Sequence, residues 1–256
     1  MLFLLSPAKS LDFSPAPAPH PSSRPRLIDD AAVLARRARR LTRADLRRLM
    51  HLSDALADLN RTRFQALDPT DDDTGLQAAF AFNGDVYAGL RARTLDAGDL
   101  AWAQGRLRIL SGLYGVLRPL DRIQPYRLEM GVRLNTRRGT NLYDFWGDRI
   151  ARVLNDDLAG QAEPTVVNLA SKEYFAAVDL KALRARVVSP RFLEERDGEA
   201  RIVSFFAKKA RGAMARWAVE RRIERAEDLK GFDRDGYRFR PDVSSDEDWV
   251  FARAQP

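Results

Sequence analysis

The chain has 256 residues, of which 45% are hydrophobic and 31% are charged. These fractions are typical of a soluble globular protein and exclude a collagen-like, mucin-like or fully disordered chain. The sequence contains no cysteine and only two histidines, which excludes a disulfide framework, a cysteine-ligated metal centre and a thiol nucleophile. The formal net charge of +7 favours an anionic partner such as nucleic acid, a nucleotide or phosphate.

The N-terminal apolar stretch Met1–Leu5 is too short for a membrane span and lacks the basic region that opens a signal peptide. We therefore expect a cytoplasmic protein with no membrane partner. Because two histidines and no evident carboxylate cluster leave few ligands, we also expect no metal site and no cofactor.

Predicted strands and helices alternate along the chain without a repeat of fixed period. Strands are predicted at Met1–Leu5, Leu107–Leu110, Thr165–Leu169 and Arg186–Ser189, with a hairpin of Arg191–Glu195 and Arg201–Phe206 around Asp197-Gly198. Helices are predicted at Leu27–Arg40, from Thr42, from Ser53 toward Leu67, at Tyr143–Leu154 and at Ala207–Glu224. The proline-rich segment Phe13–Pro25 reads as an extended connection. This order predicts one mixed α/β (α+β) domain over residues 1–256, with a helical insertion after the first strand.

Two polar turns directly follow predicted strands, SPAKS after the first strand and NLASKEY after the strand that ends at Leu169. In α/β proteins, ligands bind just beyond the carboxyl ends of strands. Ser6, Lys9, Asn168, Ser171 and Lys172 are therefore candidates for holding a phosphate or carboxylate. The alternatives are an exposed lysine in a polar turn and, for Ser171, a role as a helix cap.

The segment LSGLYGVLRPLDRIQPYRLEM interleaves arginines with tyrosines. Arg118 and Arg127 could contact phosphates while Tyr114 and Tyr126 stack on bases, and Ser111 lies where small residues permit close backbone approach. The alternative is a structural loop that is locked by ion pairs with its own carboxylates.

A third cluster, Lys208, Lys209 and Arg211, lies at the start of the predicted C-terminal helix. Cations are disfavoured at this end of a helix, so an anion bound among them would explain their position. A solvated basic face is the alternative. The turn Asn83-Gly84-Asp85, with Tyr87, could also contribute to a pocket, unless Asp85 only caps a helix.

Six strings carry a resemblance to a known family: SPAKSLDF, FNGDVYAGL, LSGLYGVLRPLDRIQPYRLEMG, LYDFWGD, NLASKEYF and SFFAKKARG. Together they closely resemble the YaaA-type peroxide stress resistance proteins, from Met1 to the C-terminal region. The resemblance implies a cytosolic protein of the oxidative stress response that binds DNA and helps to limit damage driven by free iron. It also implies a single α/β unit of unusual topology with a positively charged cleft. A helix-hairpin-helix element is attributed to the family, and its best match here is residues 42–64, with Asp58 where a hairpin glycine is expected.

Two functions follow from these observations. The favoured hypothesis is binding of double-stranded DNA, without sequence preference, in a basic cleft. The alternative is an enzyme that acts on a nucleotide, nucleobase or other small anion, with Lys9 or Lys172 as nucleophile or proton-transfer group. In both, we expect Lys9, Arg118, Lys172 and Lys208 to line one cleft.

Overall fold

The structure is a computed structural model and describes residues 1–16, 20–71, 73–197 and 199–255. Its strands are β1 (Leu2–Leu5), β2 (Ser10–Leu11), β3 (Leu76–Gln77), β4 (Phe82–Asn83), β5 (Leu107–Ser111), β6 (Gly115–Leu117), β7 (Arg122–Ile123), β8 (Thr165–Leu169), β9 (Arg186–Arg196), β10 (Glu199–Arg201), β11 (Arg238–Phe239) and β12 (Asp248–Ala254). Its α-helices are α1 (Ile28–Ala38), α2 (Arg43–Met50), α3 (Asp54–Ala66), α4 (Ala78–Ala81), α5 (Asp85–Leu90), α6 (Ala97–Arg106), α7 (Leu142–Trp146), α8 (Arg149–Leu158), α9 (Lys172–Phe175) and α10 (Ser204–Arg221). Short 3₁₀ helices cover Ala92–Thr94, Ala226–Gly231, Arg234–Gly236 and Pro241–Val243.

A mostly parallel sheet forms the centre of the molecule, in the order β11-β12-β9-β8-β1-β5-β6, with β10 paired to β9. The pairs from β12 through to β5 are parallel, whereas β6, β10 and β11 pair antiparallel to their neighbours. β1 lies between β8 and β5, and every residue of Leu2–Leu5 is fully buried. A continuous apolar run is what a parallel strand covered on both faces requires.

The register of the central strands brings two predicted turns to one edge of the sheet. Leu5, the last residue of β1, lies opposite Leu169, the last residue of β8, and opposite Ile109 in β5. Because these strands are parallel, the chain leaves β1 and β8 at the same edge. Ser6 and Ala170 therefore begin neighbouring loops.

Helices α1 to α6 lie between β1 and β5 in the chain, as the predicted insertion requires. Thr42 caps α2 through a reciprocal pair of hydrogen bonds with Asp45, and α2 and α3 form a helical hairpin over the predicted element. Among the helices of the described residues, none combines the length and the apolar character needed to span a bilayer.

The long C-terminal helix α10 packs against α5 at a contact that only glycine permits. A Cβ atom added at Gly212 would lie 1.7 Å from the carbonyl oxygen of Val86, and one added at Gly89 would lie 2.1 Å from the carbonyl oxygen of Lys209. This close approach brings Asp85, in the first turn of α5, beside Lys208 in α10.

Several predicted elements need correction. The predicted strand Arg201–Phe206 is wrong beyond its first residue, because β10 ends at Arg201 and α10 begins at Ser204. The predicted helix Tyr143–Leu154 is two helices, because Gly147 adopts a positive φ of 49° between α7 and α8. The hairpin is confirmed by pairing of β9 with β10, although Gly198 in its turn lies outside the described residues. So do residues 17–19 of the predicted proline-rich connection.

Candidate functional site

A cavity of about 490 Å³ opens where the chain leaves β1 and β8. We call it the strand-end cavity. Its lining residues come from the loop after β1, the β4–α5 segment, the loop around α9 and the start of α10, and they are Ser6, Pro7, Ala8, Lys9, Ser10, Asn83, Gly84, Asp85, Val86, Tyr87, Glu129, Ser171, Glu173, Tyr174, Lys208 and Arg211.

Hydrogen bonds join the two strand-end loops at the base of this cavity. The backbone N–H of Ser171 donates to Ser6 Oγ at 2.8 Å, and the Tyr87 hydroxyl donates to the Ser6 carbonyl at 3.2 Å. Ser171 also caps α9, because its Oγ accepts a hydrogen bond from the Tyr174 N–H at 3.4 Å. The capping role that the sequence offered as the alternative for Ser171 is thus observed.

Lys9 reaches into the cavity mouth as a partly solvated charge. Its Nζ lies 3.2 Å from Glu129 Oε2, and the Lys9 side chain is 65% exposed. Arg127 also bonds Glu129, at 3.0 Å from Nη2 to Oε1. A lysine that acts as a nucleophile is normally activated by burial or by a neighbouring cation, and Lys9 has instead a carboxylate partner and solvent.

The wall formed by α10 carries a guanidinium group without a full set of partners. Lys208 Nζ lies 3.7 Å from Asp85 Oδ2. Arg211 is half-buried, and its Nε atom is inaccessible to solvent with no hydrogen-bond partner among the described residues. Burial lowers the pKa of Arg211 from its ordinary value, and no carboxylate of the described residues raises it again.

The wall formed by α9 is acidic and aromatic. Glu173 Oε1 accepts a hydrogen bond from the Gly131 N–H at 2.9 Å. Burial raises the pKa of the Tyr174 phenol, and the charges of Glu173 and Glu129 raise it further. Tyr174 is therefore a neutral hydroxyl at physiological pH, and Glu173 adds a carboxylate to those of Asp85 and Glu129.

Arg118 does not line the strand-end cavity. Its Nε and Nη2 atoms donate to Asp121 Oδ1 at 3.0 and 2.8 Å, and Nη2 also donates to the Arg24 carbonyl. Asp121 is 1% exposed, so this pair locks the loop as the structural alternative proposed. Of the four residues expected to share a cleft, the structure brings together Lys9 and Lys208.

Ser111, Tyr114 and Tyr126 are buried, with exposed fractions of 0%, 1% and 5%. The Ser111 hydroxyl is 2.6 Å from the Tyr126 hydroxyl and accepts a hydrogen bond from the Tyr114 N–H at 3.0 Å. Rings enclosed in this way offer no face on which a base could stack. The predicted stacking role is corrected to one in holding the loop.

Three other predicted residues lie beside the cavity without lining it. Asn168 bonds Ser189 and the Ala170 N–H, Lys172 is exposed on α9, and Lys209 faces a second cavity, where its Nζ lies 3.8 Å from Asp235. Asn168 lies within β8, and the sequence pattern did not resolve the directions in which the side chains of Lys172 and Lys209 leave α9 and α10.

Residues 83–87 form part of the cavity, as the sequence had suggested for the turn with Tyr87. Glu173 was missed as a lining residue, and its position next to Lys172 in the same post-strand turn was the available signal.

The helical hairpin carries carboxylates at its turn, where Asp54 and Asp58 form ion pairs with Arg43 and Asp54 also pairs with Arg47.

Comparisons with known proteins give a consistent result. Residues 1–243 match the family model described as "Peroxide stress protein YaaA". A UPF0246 protein of Phenylobacterium zucineum is 63% identical over 256 residues, which cover all of this chain and 96% of that protein. A UPF0246 protein of Caulobacter vibrioides is 62% identical over the full length of both chains, and one of Maricaulis maris is 56% identical over 257 residues, covering 97% of its length.

Proposed function

Because this chain belongs to the YaaA family of peroxide stress proteins, we propose that it binds DNA in the peroxide stress response and holds a phosphate group in the strand-end cavity. The observation that carries this proposal is Arg211, whose guanidinium Nε is inaccessible to solvent and has no hydrogen-bond partner among the described residues.

A buried cation is costly when nothing neutralises it. Burial is the cause of the lowered pKa of Arg211, and no carboxylate among residues 1–16, 20–71, 73–197 and 199–255 offsets it. A guanidinium group binds phosphate through two parallel hydrogen bonds. A phosphate oxygen at Nε would accept the hydrogen bond of this N–H group, and its negative charge would neutralise the guanidinium.

Charge outside the cavity favours a polyanion over an isolated phosphate. Seven arginines lie between positions 36 and 48. Arg36 and Arg40, at the end of α1 and just after it, are exposed and have no ion pair with a described residue. The turn of the helical hairpin is neutralised by Asp54 and Asp58, so we place the electrostatic contact at the end of α1. Contacts of this type bind DNA without reading its sequence.

We propose that the protein protects DNA from iron-driven damage by occupying it. In this proposal the protein acts in the cytoplasm and requires no bound cofactor for DNA binding. The alternative, catalysis on a free nucleotide or another small anion, is favoured by the carboxylates of the cavity. Its predicted nucleophile Lys9 is exposed and paired with Glu129, and Lys172 lies outside the lining. We therefore rank it second.

The test compares two variants that each remove one positive charge. Arg211→Met removes the cavity guanidinium, and Arg152→Met removes an exposed arginine of α8 that pairs with Asp148. We expect Arg211→Met to weaken duplex binding, measured by fluorescence anisotropy, by about 10-fold or more, since a hydrogen bond to a charged group contributes roughly 1.5–3 kcal/mol. Arg152→Met should change it less than about twofold. Equal losses in the two variants would remove Arg211 from the interface.

A further inference from the structure

The charges that line the strand-end cavity balance one another. Three cations, Lys9, Lys208 and Arg211, face three carboxylates, Asp85, Glu129 and Glu173. A DNA duplex presents a row of phosphates on its outer surface, and three carboxylates in the lining repel phosphates beyond the one that Arg211 binds. A ligand that suits this cavity has one anionic group and, elsewhere on the same molecule, N–H groups that can donate to carboxylates.

Existing bonds show which lining groups are available to such a ligand. Lys9 is paired with Glu129, Lys208 is near Asp85, and Glu173 accepts from a backbone N–H. Arg211 retains an Nε that has no hydrogen-bond partner in the part of the chain that the structure describes. The exposed carboxamide of Asn83 makes no hydrogen bond with a described residue, and a carboxamide can both donate and accept.

The dimensions and the walls suit one nucleotide. A volume of about 490 Å³ lies within the range of small-ligand sites, roughly 300–1,000 Å³. Tyr174 is partly exposed at the wall, and an aromatic ring there offers a surface for a base. Pro7, Ala8 and Val86 add apolar surface to the same lining.

We infer that the strand-end cavity holds a single nucleotide, with its phosphate on Arg211 and the edge of an amine-bearing base toward Asn83 and the carboxylates. This inference rests on the proposed function and names the part of the nucleic acid that enters the cavity. The same chemistry is presented by a free nucleoside monophosphate and by one nucleotide unstacked from a DNA strand.

The experiment uses the full chain and titration calorimetry with three probes. These are dAMP, 2-deoxyribose 5-phosphate, which lacks the base, and deoxyadenosine, which lacks the phosphate. We expect dAMP to bind at least 10-fold more tightly than either fragment. Asn83→Ala, which removes an exposed and unbonded side chain, should bring the preference for dAMP over 2-deoxyribose 5-phosphate towards one. Equal affinity for these two probes in the unmodified chain, or an undiminished preference in Asn83→Ala, would overturn the inference.

Two DNA duplexes identify the source of the nucleotide. Tighter binding to a duplex with one extrahelical adenine than to a fully paired duplex supports a nucleotide from a strand, whereas dAMP binding without that difference supports a free nucleotide.

Arg211→Met separates the proposed DNA contact from the proposed nucleotide site. If it abolishes dAMP binding and leaves duplex affinity intact, the proposed DNA contact fails and the nucleotide site stands. If it weakens duplex binding while dAMP and 2-deoxyribose 5-phosphate bind equally, the nucleotide site fails and the DNA contact stands.

Discussion

Lys9 is one of only six lysines among 43 basic residues, and its surroundings are those of a point charge. Its ammonium group is 3.2 Å from Glu129 and its side chain is 65% exposed. An exposed ion pair of this kind contributes little to stability. These contacts therefore give no reason for lysine over arginine at this position.

We accordingly expect Lys9→Arg to keep duplex affinity within about threefold, because guanidinium retains the charge and adds hydrogen-bond donors. Cells that depend on this protein should also keep their survival in peroxide. The measurements are anisotropy with duplex DNA and a peroxide survival assay, with Lys9→Ala as the variant that loses the charge. If Lys9→Arg bound DNA normally and yet failed to protect, a proton-transfer or nucleophilic role for Lys9 would be restored.

The segment of interleaved arginines and tyrosines at residues 110–130 shows what sequence alone leaves open. A pattern of Tyr114, Arg118 and Tyr126 is equally consistent with an exposed stacking surface and with a buried loop. Which of the two forms depends on contacts between residues that are far apart in the sequence, such as the hydrogen bond from the Trp146 indole N–H to the Gly112 carbonyl. No local pattern encodes such a contact.

At the scale of elements, the approach of α5 to α10 forms one wall of the cavity. We expect Gly212→Ala to destabilise the protein by about 2–3 kcal/mol, as overpacking does, since its Cβ would lie 1.7 Å from the carbonyl oxygen of Val86. Gly105→Ala in α6 is the matched control, because a Cβ there meets nothing within 4 Å. Its helix propensity should raise stability by about 0.5–1 kcal/mol.

Urea denaturation followed by circular dichroism measures both changes. A Gly212→Ala variant as stable as the unmodified chain would show that the two helices separate without cost. The position of Lys208 beside Asp85 would then not depend on the close contact at Gly212.

At the scale of the whole molecule, the sequence predicted those features that follow from the pairing of neighbouring parallel strands. Met1–Leu5 and Thr165–Leu169 read as buried strands, and parallel pairing then requires the loops that contain Ser6 and Ser171 to meet. The sequence pattern did not reveal the pairing of β9 with β12, whose last residues are about sixty positions apart. The cost of closing such a loop grows only slowly with its length, so local patterns carry little information about which distant strands pair.

The central claim is that α10 contacts phosphate through the strand-end cavity, and the salt dependence of duplex binding tests it most directly. The double variant Lys208→Ala/Arg211→Ala is compared with Arg152→Ala/Lys181→Ala, which removes the same charge from a surface near α8. The slope of log K against log salt falls by roughly 0.9 for each phosphate contact removed. We predict a slope about 1–2 units shallower in the first variant and unchanged in the second. Equal slopes in both variants would contradict a phosphate contact in this cavity.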